Sequence, residues 1–234
     1  MRKKLPAALK AAFPHTIPVL TGFLFLGMAF GILMSDKGYG LPWILLMSAA
    51  VFAGSLQFVG VALLTSAFNP LYALMMALVV NARHLFYGIS MLEKYSGTGK
   101  LKPYLIFGLT DETFSLLCSV EPPEDVEKPL FMLAVTALHQ SYWLAGGLLG
   151  GLIGPLLTFN TRGIDFVMTA FFVVIFINQW RGHKNHFPAL TGLLAAVVSL
   201  LIFGAGNFII PAMLLIIAVL SLLRKPLSKE VEER

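Results

Sequence analysis

Charge is scarce in this chain. Only 12% of its 234 residues are Asp, Glu, Lys or Arg, while 57% are hydrophobic. A soluble domain carries about 25% charged residues. Half that level, with the charges bunched between long apolar runs, excludes an ordinary soluble globule and implies an integral membrane protein. Cysteine is nearly absent as well. Cys118 stands alone, so there is no internal disulfide and no cysteine metal cluster; its expected role is apolar filler in a helix. HExxH, CxxC and acidic ladders are missing, and so is GxxxxGK[ST], which argues against metal sites and direct ATP hydrolysis. GxSxG is missing too; Ala53-Gly54-Ser55 lacks the second glycine. No cofactor is expected. The net charge of +5 and pI near 9.4 are assigned to basic ends at a membrane surface rather than to nucleic acid.

What the chain does contain is apolar length. Runs of about 17–25 apolar residues mark membrane spans. They fall at residues 15–34, 41–67, 71–92, 103–119, 129–153, 164–180, 187–203 and 209–223. The expected fold is a single all-α integral membrane domain over 1–234 with seven or eight transmembrane helices, some broken or re-entrant. The candidates for re-entry are 41–67, with Gly54 and Gly60, and the last pair around Gly204 to Asn207. Pro14 and Pro18 are expected to start the first span. Met1-Arg2-Lys3-Lys4 resembles the head of a signal peptide, but no short apolar core with a cleavage site follows, so the first span is read as retained. Glycines at 22, 27 and 31 are read as helix-packing positions, and the fifth run also carries Gly146, Gly147, Gly150 and Gly151. The longest loops have about ten residues, so the expected chemistry lies within or across the bilayer. No internal repeat is visible. If every run crosses, eleven Lys and Arg lie on the side of the N-terminus and five on the other. The positive-inside tendency then puts both ends in the cytoplasm. Loop 93–102, with Lys94, Lys100 and Lys102, fits that count poorly.

The polar residues inside the runs are the functional candidates, because charge at membrane depth is costly and needs a partner, water or an interface. Asn81-Ala82-Arg83-His84-Leu85-Phe86-Tyr87 is the first cluster. On a helix Asn81 and His84 share one face, and Arg83 and Tyr87 an adjoining one. A guanidinium flanked by an amide and an imidazole either grips a carboxylate, or snorkels or serves a structural ion pair. Asp111 and Glu112 come next. They lie about 100° apart on a helix, so one faces Arg83 or a substrate ammonium and the other carries a proton. Alternatively, both cap the start of a broken helix. Gly54-Ser55-Leu56-Gln57-Phe58 either unwinds to offer backbone groups to a small ligand or packs with one interhelical hydrogen bond. His139-Gln140, with Trp143 one turn on, offers a proton relay or a packed histidine. Asp165 reads as a helix cap.

Taken together, Ala53 to Phe58, Asn81 to Gly88 and Asp111-Glu112-Thr113-Phe114 resemble the AzlC family of bacterial branched-chain amino acid exporters. Gln140-Ser141-Tyr142-Trp143 with Gly146, and Asp165-Phe166 with Thr169-Ala170-Phe171, are similar in order and spacing. The resemblance runs over residues 10–224. It implies a multi-pass protein of the bacterial cytoplasmic membrane that is not an enzyme. As the large subunit beside a small AzlD-type membrane partner, it would export leucine, isoleucine, valine and analogues by an ion-gradient mechanism. On that expectation Arg83 and Asn81 hold the substrate carboxylate, and Asp111 or Glu112 faces its ammonium or carries the coupling proton. Gln57 and backbone near Gly54 complete the polar rim, and Phe58 and Phe86 hold the branched side chain. An ion channel and an intramembrane enzyme are the competing classes.

Overall fold

Residue 5 begins a helix that does not stop until residue 36. This helix, α1 (Leu5–Asp36), is apolar enough along its length to cross a membrane, with a mean hydropathy of 2.2 over its most apolar window. Pro14 and Pro18 lie inside it rather than at its start. Each lacks an N–H and so frees a carbonyl one turn back. The helix continues through them because Ala8, Ala12 and Thr16 are fully enclosed against neighbouring helices, so packing outweighs the lost hydrogen bonds.

The computed structural model describes residues 4–67, 69–156, 185–204 and 208–223, with scattered positions between 166 and 181. The sixth apolar run and Asp165 lie largely outside the described residues, as do the side chain of Phe86 and residues 205–207. Among the described residues all regular structure is helical. Two compact units are present, residues 1–168 and 169–234. In the second, α8 (Phe187–Phe203) packs on α9 (Ile209–Leu222). The first holds the polar clusters.

In the first unit, α1 lies along α7 (Lys128–Ile153) at backbone distance. Gly146-Gly147-Leu-Leu-Gly150-Gly151 makes two adjacent glycine stripes. A Cβ on Gly150 would sit 2.1 Å from the carbonyl oxygen of Met28, and one on Gly31 would sit 2.4 Å from that of Gly147. The second stripe serves α2 (Leu41–Ala50): a Cβ on Gly147 would meet Ser48, and one on Gly151 would meet Ile44 and Leu41. Small residues allow such approach where lipid supplies no hydrophobic drive between helices. Gly22 has open space around it, so it is not part of the seam.

The run 41–67 is not one helix. It folds as α2 and α3 (Gly54–Leu64), joined through non-helical Val51, Phe52 and Ala53. The Tyr39 hydroxyl donates to the Leu64 carbonyl at 3.1 Å, so both open ends of this splayed hairpin lie at one end of the unit. That is the far end, where Ser35 approaches the carbonyl of Gly151. From there α4 (Pro70–Met91), N-capped by Asn69, returns to the head end, where α1 begins. Met91 and Tyr95 join Ala8, Ala12 and Leu130 in one core. The run 103–119 is also broken, into α5 (Lys102–Phe107) and α6 (Asp111–Ser119), with Gly108, Leu109 and Thr110 between them. Lys94 bonds the Leu117 carbonyl and pairs with Glu121 at 3.4 Å, which brings the end of α6 back to the head end.

Loop 93–102 therefore shares an end with the N-terminus, not the opposite one. With 41–67 folding back on itself, this end differs from the one that strict alternation of the runs assigns to the loop. A helix followed by a hairpin occurs twice, α1 with α2–α3 and α4 with α5–α6, in opposite senses. This inverted repeat is one that the sequence does not display. Lys4 and Glu127 close the head end at 2.6 Å. Their hydrogen bond holds the ammonium above its ordinary value and the carboxyl below. The contact is therefore lost only as pH falls below the usual carboxylate range or rises above the usual lysine range, and it is even from about pH 5 to 10. Both groups are exposed, so Lys4→Ala is expected to move the thermal midpoint by no more than about 2 °C in a melt between pH 6 and 9.

Candidate functional site

The two hairpin tips meet the middle of α4. Arg83 reaches both. One guanidinium nitrogen, Nη1, pairs with Oδ2 of Asp111 at 2.8 Å, and Nη2 donates to Oγ of Ser55 at 2.8 Å. Asp111 is the first residue of α6, and Ser55 lies in the first turn of α3. A single arginine thus ties together the N-termini of two half-helices. Of the two acids, Asp111 is the one within ion-pair distance of Arg83; Glu112, next on the turn, is half-buried. Both helix N-termini direct partial positive charge to the same place. Together with the guanidinium they balance the carboxylates of Asp111 and Glu112.

Asn81 and His84 lie on the adjoining face and line a different space. A cavity of about 260 Å³ is bounded by Val51, Phe52, Ala53, Leu56, Asn81, His84, Ile106, Phe107 and Leu109. Its walls are the two breaks and one turn of α4. Asn81 Oδ1, His84 Nδ1, Arg83 Nε and Asp111 Oδ1 are buried without a hydrogen-bond partner among the described residues. Buried polar atoms are nearly always paired, so the Asn81 and His84 atoms mark this cavity as a candidate place for a polar guest. Tyr87 stacks on Phe114 with ring centres 4.5 Å apart and closes the head-side wall of α4 against α6.

Helix α7 holds both tips through a stripe one helix face wide. Thr136 covers Gly108, where a Cβ would fall 2.1 Å from its methyl. Buried His139 bonds Thr113 Oγ1 through Nδ1 at 2.9 Å, and Thr113 is tied to the capping hydroxyl of Thr110. Gln140 accepts from the Tyr104 hydroxyl at 2.6 Å. Trp143 lies over Gly54 and donates to Gln57 Oε1 at 2.9 Å.

Gln57 has a structural position. It is fully buried, and its amide nitrogen donates to the carbonyls of Met47 and Val51, which also accept from the backbone N–H groups of Val51 and Ala53. Both N–H groups are committed within the protein. Phe58 is likewise turned away from the cavity, against Phe30. Gln57→Leu is expected to cost about 2 kcal/mol, because it leaves the buried Trp143 indole N–H without its acceptor. The measurement is the thermal midpoint in detergent, with Gln57→Glu as the companion.

The structure thus brings together Asn81, Arg83, His84, Asp111 and Glu112 around the tips, with Gly54 at one of them. Gln57, His139 and Gln140 form the ring that holds the tips in place. Ser55, Thr110, Thr113, Tyr104 and Trp143 were not singled out as partners from the sequence. The Thr110-x-x-Thr113 spacing of a helix cap was the available signal; nothing local reveals Ser55 or Tyr104 as partners.

The family model described as AzlC protein matches residues 18–157, which contain every one of these groups. A Bacillus subtilis protein named branched-chain amino acid transport protein AzlC is 55% identical over 97% of this chain and 90% of its own length. A Haemophilus influenzae protein described as an uncharacterized membrane protein is 41% identical over 96% and 93%. The Escherichia coli inner membrane protein YgaZ is 24% identical over 78% of both chains. No solved structure matches. The matched residues span both hairpins, α4, α7 and the larger part of α1, and the chain belongs to the AzlC family.

Proposed function

We propose that this protein is a secondary transporter that exports leucine, isoleucine, valine and close analogues across the bacterial cytoplasmic membrane. The observation that carries the reading is the meeting of two oppositely inserted broken helices at a largely apolar cavity whose polar side chains are Asn81 and His84. Transporters bind small charged solutes at such discontinuities, where half-helix N-termini face the anionic group. The substrate carboxylate lies against Asn81 and the N-termini of α3 and α6. Arg83 sets the charge there and holds the tips in register. Asp111 or Glu112 takes the ammonium or the coupling proton. Leu56, Ile106, Phe107 and Leu109 surround the branched side chain. Opposed motion of the two helix–hairpin units opens the cavity to one side and then the other. The name of the Bacillus relative supports the substrate class.

In this reading α1, α4 and α7 cross the bilayer and the hairpins re-enter it, so residues 4–156 supply three crossings where five runs were counted. α4 and α7 have 22 and 26 residues, enough to cross, although their polar centres dilute their hydropathy. Arg2, Lys3, Lys4, Lys10, Lys94, Lys100, Lys102 and Lys128 then share the head side, against Lys37 at the far side. The positive-inside tendency supports a cytoplasmic head. With the C-terminal runs completing the membrane domain, both termini are cytoplasmic. A small AzlD-type membrane subunit is the expected partner. Labelled leucine, valine, methionine and lysine, followed in vesicles with and without a pH gradient and with and without that subunit, test the assignment. Saturable movement of leucine and valine but not lysine is expected; conductance without saturation would mean a channel.

A further inference from the structure

A second cavity, of about 390 Å³, adjoins the first toward the head end and shares His84, Ile106 and Leu109 with it. Its remaining walls include Ile89, Leu92, Tyr95 and Lys102. Its size lies within the range of small-molecule sites, about 300–1,000 Å³. Two polar groups there are without partners. Tyr95 is 2% exposed, and its hydroxyl is buried with no hydrogen-bond partner among the described residues. Lys102 has no ion pair among the described residues, whereas Lys4, Lys94 and Lys128 at the same end are paired with Glu127 and Glu121. Among the described residues no carboxylate lines the cavity.

We propose that this cavity is a second solute station, in which Lys102 and Tyr95 capture the carboxylate of an amino acid on its way to or from the helix breaks. An ammonium and a phenol together give a carboxylate two charge-assisted hydrogen bonds. Ile89, Leu92, Ile106 and Leu109 offer an apolar wall to an aliphatic side chain. His84, common to both cavities, stands where the solute passes from one to the other. The proposal rests on the transport reading for its direction, not for its chemistry.

The test uses the full chain in proteoliposomes and nanodiscs, with L-leucine, leucinamide and 4-methylpentanoate as probes. Lys102→Met is expected to raise KM for leucine about tenfold while leaving kcat within about twofold. It should reduce the preference for leucine over leucinamide by a similar factor. Lys102→Arg should stay within about threefold of wild type, and Tyr95→Phe should raise KM about threefold. Should Lys102→Met not yield monodisperse protein, Lys102→Gln and Tyr95→Phe carry the same comparison. An unchanged KM together with an unchanged preference would overturn the station. If the wild type moves no leucine, the transport reading falls separately. The station is then decided by 4-methylpentanoate in nanodiscs: binding that depends on Lys102 supports it, and no binding overturns it.

Discussion

Arg83→Met is expected to abolish leucine transport and to destabilise the fold by about 2–3 kcal/mol. Breaking a buried ion pair by removing one partner leaves the other charge uncompensated, which typically costs about 3–5 kcal/mol. The cost here is lower because the side chains of Arg83 and Asp111 are 33% and 27% exposed. The Ser55 hydroxyl and the N-termini of α3 and α6 lose their common tie at the same time. Neutralising the stranded partner distinguishes structure from transport. Arg83→Met combined with Asp111→Asn should recover most of the thermal midpoint and none of the transport. Recovery of both would mean that the pair is only a strut. A double variant as unstable as Arg83→Met alone would mean that the pair is not what the stability depends on.

Gly150→Val is expected to prevent accumulation of folded protein. A Cβ there would lie 2.1 Å from the Met28 carbonyl oxygen, and neither α1 nor α7 can swing that atom aside as a flexible side chain would. The two helices must separate along a seam that positions the tips, since α7 carries Thr136, His139 and Trp143 beneath them. Even Gly150→Ala should cost about 3 kcal/mol, at the upper end for overpacking, or roughly 10 °C in thermal midpoint. Two controls calibrate the result. Gly22→Ala meets open space, and Gly60→Ala meets only the mobile end of Met47; both should melt within about 2 °C of wild type. Fluorescence-detected gel filtration with a melt ranks all four.

Much of this arrangement is legible in the sequence. The long apolar runs located α4 and α7 nearly to the residue, and Gly27 and Gly31 were readable as packing positions from their helical spacing, whereas their partners Gly146 to Gly151 emerge from the structure. Arg83 stood out as a lone charge in an apolar run, and Asp111 and Glu112 as acids within a later one. Direction was not legible. Hydropathy cannot tell a crossing from a hairpin when the turn, Val51-Phe52-Ala53, is itself apolar. That turn is tolerated because the Val51 carbonyl accepts from both the Ala53 N–H and Gln57 and because it is enclosed in protein. Gln57, placed on a substrate rim from the sequence, bonds Met47, Val51 and Trp143 in the structure. A buried polar side chain looks identical in sequence whether it serves a ligand or the backbone. Loop 93–102 was the clue, since its three lysines disagreed with strict alternation, and the hairpins account for that disagreement.

The central claim is that the space between the hairpin tips holds the amino acid. Ala53 lies at one tip and lines that space. In a Cys118→Ala background, which removes the exposed native thiol, Ala53→Cys should be labelled by a small membrane-permeant maleimide. Saturating L-leucine should slow that labelling in a concentration-dependent manner, while lysine should not. Labelling of Ala53→Cys at the same rate with and without leucine, in protein that still transports it, would contradict the account.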